Sequence, residues 1–414
     1  IIKYDLKVAK YIRNCFDKYK YPAALKVYSA KKQNDRIREV GLILKPLMTY
    51  CVSFQTTTPK VLKETIRVSA IHKEAVESIN YARKNGMSTA TELIFGLPGE
   101  TLESWKEVIN KTLSYGFDSV VMGPLWLLKG SDLNQASARE TNQYVSKFMV
   151  AENAVTQYED FISVERDEIT VQSKYFTYEE WKTFLKYQIN LLMTNFYGYG
   201  KELLHYANNI NIKPITLFDH VLNDPKKYPI INELVESYVK SYTDNMFDTE
   251  EELYSFIKDN IEKFKKDKEY LIRLASKRGL LVYITKYMLK DPEKRYLREI
   301  RNAICEISSS EKVKVKEDTR IILDLAIKLI IDPFDKVFVP DIEFETKYDL
   351  QSWILQGYSK GLSFYEFKKP QKIMLKCRNS YTVNEIIKKD KEQKRTDCFH
   401  FFKYMNSSLM RRYI

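Results

Sequence analysis

Long apolar stretches are missing from this chain. No run of about eighteen apolar residues, the length a helix needs to cross a bilayer, occurs in its 414 residues. A secretory leader is not expected in the first twenty residues, which carry charges at Lys3, Asp5, Lys7, Lys10 and Arg13. Cysteine is scarce. The five present, Cys15, Cys51, Cys305, Cys377 and Cys398, lie far apart without a pairing pattern or metal-ligand spacing, which excludes a disulfide framework and suits a reducing compartment. Cys398 and His400 stand two apart near the C-terminus, but two ligands without partners do not make a metal site. The expectation is a globular protein of the cytoplasm. The chain opens on isoleucine and directly on a helical pattern (Leu6, Ala9, Tyr11, Ile12, Phe16), which reads as a fragment or a processed chain.

With 44% hydrophobic and 29% charged residues, the chain can bury a large core and should hold two domains, or one barrel with an appendage. Its net charge of +12 comes from lysine and arginine spread along the sequence, with local clusters at Lys263 to Lys268 and Lys388 to Arg395. A nucleic-acid binder would interleave basic residues with exposed aromatics on one face. The 30 tyrosines are instead spread through helical segments where core packing is their expected use, so nucleic acid is not expected as a partner.

Up to about residue 130 helix and strand alternate. A helix over residues 4 to 19 precedes a short strand, Leu25 to Ala30, and a helix over 34 to 45. Tyr50 to Gln55 reads as a strand ending in polar residues, Thr58-Pro59 starts a short helix, and a longer helix covers 71 to 84 before Asn85-Gly86 stops it. Ser88 to Phe95 is the next strand, 101 to 114 its helix, and Asp118 to Leu127 a further strand. Strands joined by helices of about ten to fifteen residues imply a parallel sheet, whose carboxyl edge is where such proteins bind ligands. Four strands are too few for a closed eight-stranded barrel, which leaves an open sheet or part of a larger one. Seven of the twelve glycines lie before residue 131, so the turn-rich α/β part gives way to something else. Residues 132 to 175 read as a polar excursion with short strand-like runs at Phe161 to Val164 and Ile169 to Val171. From Thr177 the pattern is nearly all helix, over 177–197, 200–209, 214–222, 229–244, 249–265, 268–289, 292–306 and 320–331. The stretch 334–376 is mixed, and 380–414 is basic and helical.

The chain is organised around Thr91-Glu92-Leu93-Ile94-Phe95-Gly96-Leu97-Pro98-Gly99-Glu100-Thr101. A strand runs into a Gly-Leu-Pro-Gly turn, and a helix carried by Trp105, Val108, Ile109 and Leu113 follows. Glycines flanking a proline let the backbone approach a bound molecule, and the helix start is expected to offer unpaired N–H groups to a polar or anionic ligand. On spacing alone, a βα loop of any α/β protein reads the same way.

Three patches in this order resemble the radical S-adenosylmethionine superfamily, in particular the subgroup with a cobalamin-binding domain in front. They are Val52-Ser53-Phe54-Gln55 with Thr58-Pro59-Lys60-Val61-Leu62-Lys63 and Arg67, then Glu92 to Thr101, then Pro124-Leu125-Trp126-Leu127-Leu128-Lys129-Gly130-Ser131-Asp132-Leu133. Phe176-Thr177-Tyr178-Glu179-Glu180-Trp181 is similar to the helical region that follows in that subgroup. The resemblance implies an α/β fold in which residues 1–133 form the C-terminal four strands of a partial (β/α)6 barrel. Residues 134–176 would then be a linking excursion and 177–414 a mainly helical domain. It also implies S-adenosylmethionine as cosubstrate. Gln55 would lie near its ribose or methionine part, Arg67 would pair with its carboxylate, and Glu92 would accept from the ribose hydroxyls. Ile94, Gly96 and Leu97 would hold adenine by apolar and backbone contact, and Leu125 would add a second backbone contact. Ser29 and Lys31 could face the ligand but match no motif.

The family's Cys-x-x-x-Cys-x-x-Cys, which holds a 4Fe–4S cluster, does not occur here. The resemblance places it upstream of Ile1 in a truncated chain. It further implies a reductant such as ferredoxin or flavodoxin, a small-molecule substrate, and a cobalamin upstream serving methyl transfer or ring-forming oxidation. Two other readings stay open: a phosphate-binding (β/α) enzyme using the Gly-Leu-Pro-Gly turn, and a cofactor-free scaffold binding a partner through its basic helical half.

Overall fold

The computed structural model describes residues 4–22, 25, 27, 35–45, 47–65, 71–159, 161–266, 280–308, 312–330 and 341–375. The expected strand at Leu25 to Ala30 and the expected C-terminal helix at 380–414 lie outside them, apart from Leu25 and Val27.

Two helices open the chain, α1 (Asp5–Tyr19) packed on α2 (Asp35–Leu44). Next come strand β1 (Tyr50–Cys51), helices α3 (Pro59–Glu64) and α4 (Ile71–Lys84), strand β2 (Thr89–Phe95), helix α5 (Leu102–Ser114) and strand β3 (Ser119–Pro124). The three strands form one parallel sheet in the order β1-β2-β3. Tyr50 pairs with Thr89, and Ala90 to Phe95 pair with Ser119 to Pro124. Among the described residues this parallel sheet is open, with three strands where four were expected. The protein is therefore a mixed α/β molecule dominated by helix.

The polar excursion is instead a long hairpin. After a short helix, α6 (Ala136–Asn142), β4 (Val145–Tyr158) and β5 (Phe161–Gln172) pair antiparallel along most of their length. A register shift between Val150 and Val155 breaks the period-two pattern of β4, which is why that strand was not visible in the sequence. One face of the hairpin (Val150, Ile162, with Phe148, Val155 and Val164) packs on Leu253 and Ile257. Its returning strand also extends the sheet edge, since Leu127 N–H donates to the Glu168 carbonyl and Thr170 N–H to the Leu125 carbonyl, each at 2.9 Å.

Helix α7 (Tyr178–Leu191), continued by a π turn at Leu192–Phe196, runs along the outer edge of β3 and reaches the buried face of the sheet at Phe95. Gln188 Nε2 donates to the Met122 carbonyl and the Val120 N–H to Asn195 Oδ1, both at 2.7 Å. Phe95 stacks on Phe184 at 4.7 Å between ring centroids and meets Trp105 edge-on at 5.6 Å. The helices that follow, α8 (Lys201–Asn209), α9 (Pro214–Asn223), α10 (Pro229–Asp244) and α11 (Glu250–Asp259), begin close to where the sequence placed them, but the single helix expected over 249–265 is broken at Asn260, with α12 (Ile261–Lys266) following. Beyond them, Arg295–Ile307 and Lys312–Lys328 are helical, and the mixed region holds an antiparallel pair, Ile342–Tyr348 with Glu366–Leu375. One buried apolar cluster runs from Tyr50 and Phe95 through Trp181 and Tyr296 to Trp353 and Leu375. The helical half thus shares its core with the sheet.

Candidate functional site

Burial alternates along β2. Thr91, Leu93 and Phe95 are buried against helices, while Glu92 and Ile94 on the other face are half-buried. Their register partners on β3, Val121 and Gly123, are half-buried as well. A Cβ built on Gly123 would meet no atom within 4 Å, so the strip in front of it is open. Parallel sheets are ordinarily covered on both faces, and an uncovered strip at the carboxyl end of such strands is a ligand position. The Glu92 carboxylate has no hydrogen-bond or ion-pair partner among the described residues, while its backbone carbonyl accepts from Gln55.

Gln55 adjoins this strip. Its N–H donates to the Glu92 carbonyl and its own carbonyl accepts from the Ile94 N–H, both at 2.8 Å. Its backbone is left-handed (φ 64°), a conformation that costs a non-glycine residue about 1–3 kcal/mol and often marks functional sites. The Ile94 N–H is therefore already engaged, leaving the Ile94 side chain as its contact to a ligand. Arg67, Ser29 and Lys31 lie outside the described residues.

The rest of the expected set is packed. Leu97 and Leu125, 1% and 5% exposed, form an apolar cluster with Val61 and Leu127, against which Ile94, Leu133 and Tyr144 rest. The Leu125 N–H donates to the Phe95 carbonyl and its carbonyl accepts from Thr170, so both its backbone groups serve the sheet. Gly96, at φ 100°, lies under the Phe176 ring, 3.3 Å from where a Cβ would stand. Its glycine serves a close side-chain packing, so of the expected set Ile94, Gly96, Leu97 and Leu125 it is Ile94 whose side chain borders the open strip.

The helix start also differs from expectation. Thr101 and Ser104 close a capping box: Thr101 Oγ1 accepts from the Ser104 N–H at 3.1 Å and Ser104 Oγ from the Thr101 N–H at 3.0 Å. These N–H groups are satisfied within the chain.

Two residues escaped the sequence reading. Glu100, 0% exposed, accepts hydrogen bonds from Thr56 Oγ1 (2.6 Å), Thr58 Oγ1 (2.8 Å) and Ser104 Oγ, tying the loop after Gln55 to the turn after β2. Burial pushes its carboxyl above the usual range despite these donors. The Thr-x-Thr before Pro59 was the only signal of this clamp, and hydroxyls are too common to read as one. Tyr144 rests on the cluster beside Ile94, and its buried hydroxyl has no hydrogen-bond partner among the described residues.

No protein-family model matches the chain, and no curated protein matches it either.

The open strip thus presents a carboxylate unpaired among the described residues, the Ile94 side chain and empty space in front of Gly123. A 4Fe–4S cluster does not fit, because Cys15, Cys51 and Cys305 are separate free thiols and the described residues hold no group of three metal-ligating side chains. Nothing in the strip is specific to a cobalamin.

Proposed function

We propose that the open face of β2 and β3 binds the adenosyl part of S-adenosylmethionine, and that the chain is a portion of a radical S-adenosylmethionine enzyme whose partial (β/α)6 barrel includes β1 to β3. Glu92 would accept from the ribose hydroxyls, and Ile94 would lie against the adenine in the space before Gly123. Arg67, by resemblance, would pair with the methionine carboxylate. In that superfamily a reduced cluster turns the bound cosubstrate into a source of 5′-deoxyadenosyl radical. With no cluster ligand set among these residues, the work assigned to this chain is to bind and orient the cosubstrate.

The observation that carries this reading is the Glu92 carboxylate, unpaired among the described residues, on an uncovered parallel-sheet face beside the Ile94–Gly123 pair and its open space. A phosphate-binding turn is less well supported. The α5 cap engages two of the N–H groups a phosphate would use, those of Thr101 and Ser104, and the buried Glu100 carboxyl group bonded to Ser104 occupies the same corner.

Isothermal titration with S-adenosylhomocysteine, which needs no cluster iron, tests the proposal. Glu92→Ala should weaken binding about tenfold or more, the loss expected for a hydrogen bond to a charged group. Gly123→Leu should abolish it by filling the strip. Wild-type affinity in both variants, with unchanged circular dichroism, would remove the assignment.

A further inference from the structure

Helix α1 has two faces of different chemistry. Ala9, Ile12 and Phe16 pack against Val40, Ile43, Leu44, Leu47 and Met48. On the other side Tyr4, Val8, Tyr11 and Tyr19 are 58%, 52%, 70% and 64% exposed. At about 100° per residue these four share roughly a third of the helix circumference with Lys7 and Lys18, which are exposed too. Lys10 flanks the strip on α1, and Lys20 and Tyr21 continue it beyond the helix, all three exposed. The carboxylates of α1 lie off this face. Asp5 is half-buried toward the packed side, and Asp17 is held by Arg13 at 2.9 Å.

We propose that this face of α1 binds single-stranded nucleic acid. An apolar partner helix would call for aliphatic side chains and would bury the lysines at a cost. Here the exposed apolar area is mostly phenol rings, the charges among them are all positive, and no carboxylate interrupts them. Flat rings stack on bases and ammonium groups neutralise phosphates, the combination that binds single strands without reading sequence. The Lys18 ammonium, 4.9 Å from the Tyr19 ring centroid, already pairs the two elements in the free protein. The sequence criterion of basic residues interleaved with exposed aromatics, unmet along the chain as a whole, is met locally. The tyrosines of α1 follow a helical period that reads as core until the packed face is known.

The test is fluorescence anisotropy of labelled oligo-U and oligo-dT of about 12 nucleotides with the full 414-residue chain. Binding should weaken with salt, and Tyr11→Ala and Tyr19→Ala should each lower affinity about 5- to 100-fold. Lys7→Gln and Lys18→Gln should each reduce the slope of log affinity against log salt by about 0.7. Because all four side chains are on the surface, their thermal melts should match wild type, so a lost affinity is not a lost fold. A preference for oligo-U over oligo-dT would assign the site to RNA, and equal binding to either single strand. Absent binding, binding untouched by the tyrosine variants, or equal binding to heparin or a polyglutamate peptide would each overturn the proposal, the last two leaving a generic charged surface or an acidic-protein dock.

Discussion

Glu100 is a carboxyl group that water does not reach, held by the Thr56 and Thr58 hydroxyls of the loop after Gln55 and the Ser104 hydroxyl of α5. Removing it as Glu100→Ala strands those donors and should cost roughly 2–4 kcal/mol, measurable by urea denaturation. Its pH behaviour separates it from an ordinary ion. Burial raises its folded-state value, so the folded chain keeps this proton to higher pH than the unfolded chain. The resulting stability is full below the usual carboxylate range and is lost as pH rises through the raised value. The melting temperature of wild type minus that of Glu100→Gln should therefore fall from acid toward neutral pH, and a difference that grows with pH would contradict this account. Glu92 was singled out in the sequence only through the resemblance, and the burial alternation along β2 is what sets it apart from Leu93 and Phe95. The pairing of Glu100 with Thr56 and Thr58 could not be read, because it joins residues more than forty apart through hydroxyls that carry no periodic signal.

At the scale of elements, the helices and the β2–β3 pair were legible because each follows a single period and ends in recognisable stops, such as Asn85-Gly86 after α4 and Tyr115-Gly116 after α5. The hairpin was not, because its bulge resets the alternation between Val150 and Val155. The role of α7 along the edge of β3 was also hidden, since an apolar helix face does not name its partner. Its packing on the buried face of the sheet rests on aromatic contacts. Phe184, fully buried, meets both Phe95 and Trp105, so Phe184→Ala should cost about 3–5 kcal/mol in denaturant unfolding. A cost below about 1 kcal/mol would mean that the sheet and α7 are not packed as described. At the turn, Gly96→Ala puts a methyl against the Phe176 ring on a left-handed backbone and should destabilise more than a surface substitution.

Across the whole molecule one core joins the sheet to the helical half, so the two should unfold together. His205 on α8 belongs to that shared interior. It is 5% exposed, stacked on Tyr358 at 4.1 Å, and its imidazole is pushed down to about 3 by burial and then by the nearby Lys201 charge. A lowered folded value means that its stabilising contribution is present above about pH 6.5 and is lost as pH falls toward the folded value. His205→Gln should therefore flatten the acid limb of the stability curve between about pH 6.5 and pH 4, a loss of up to about 1.4 kcal/mol per pH unit in the wild type. An unchanged acid limb would place the proton uptake elsewhere.

The central claim is that an adenosyl group lies over Ile94 and Gly123 with its ribose at Glu92, and its most direct test is a crystal structure of the chain with S-adenosylhomocysteine. Density for adenosine along that strip, with a ribose hydroxyl within hydrogen-bonding reach of the Glu92 carboxylate, is the predicted result. An ordered ligand elsewhere on the molecule, or a strip that stays vacant at saturating ligand, would contradict it.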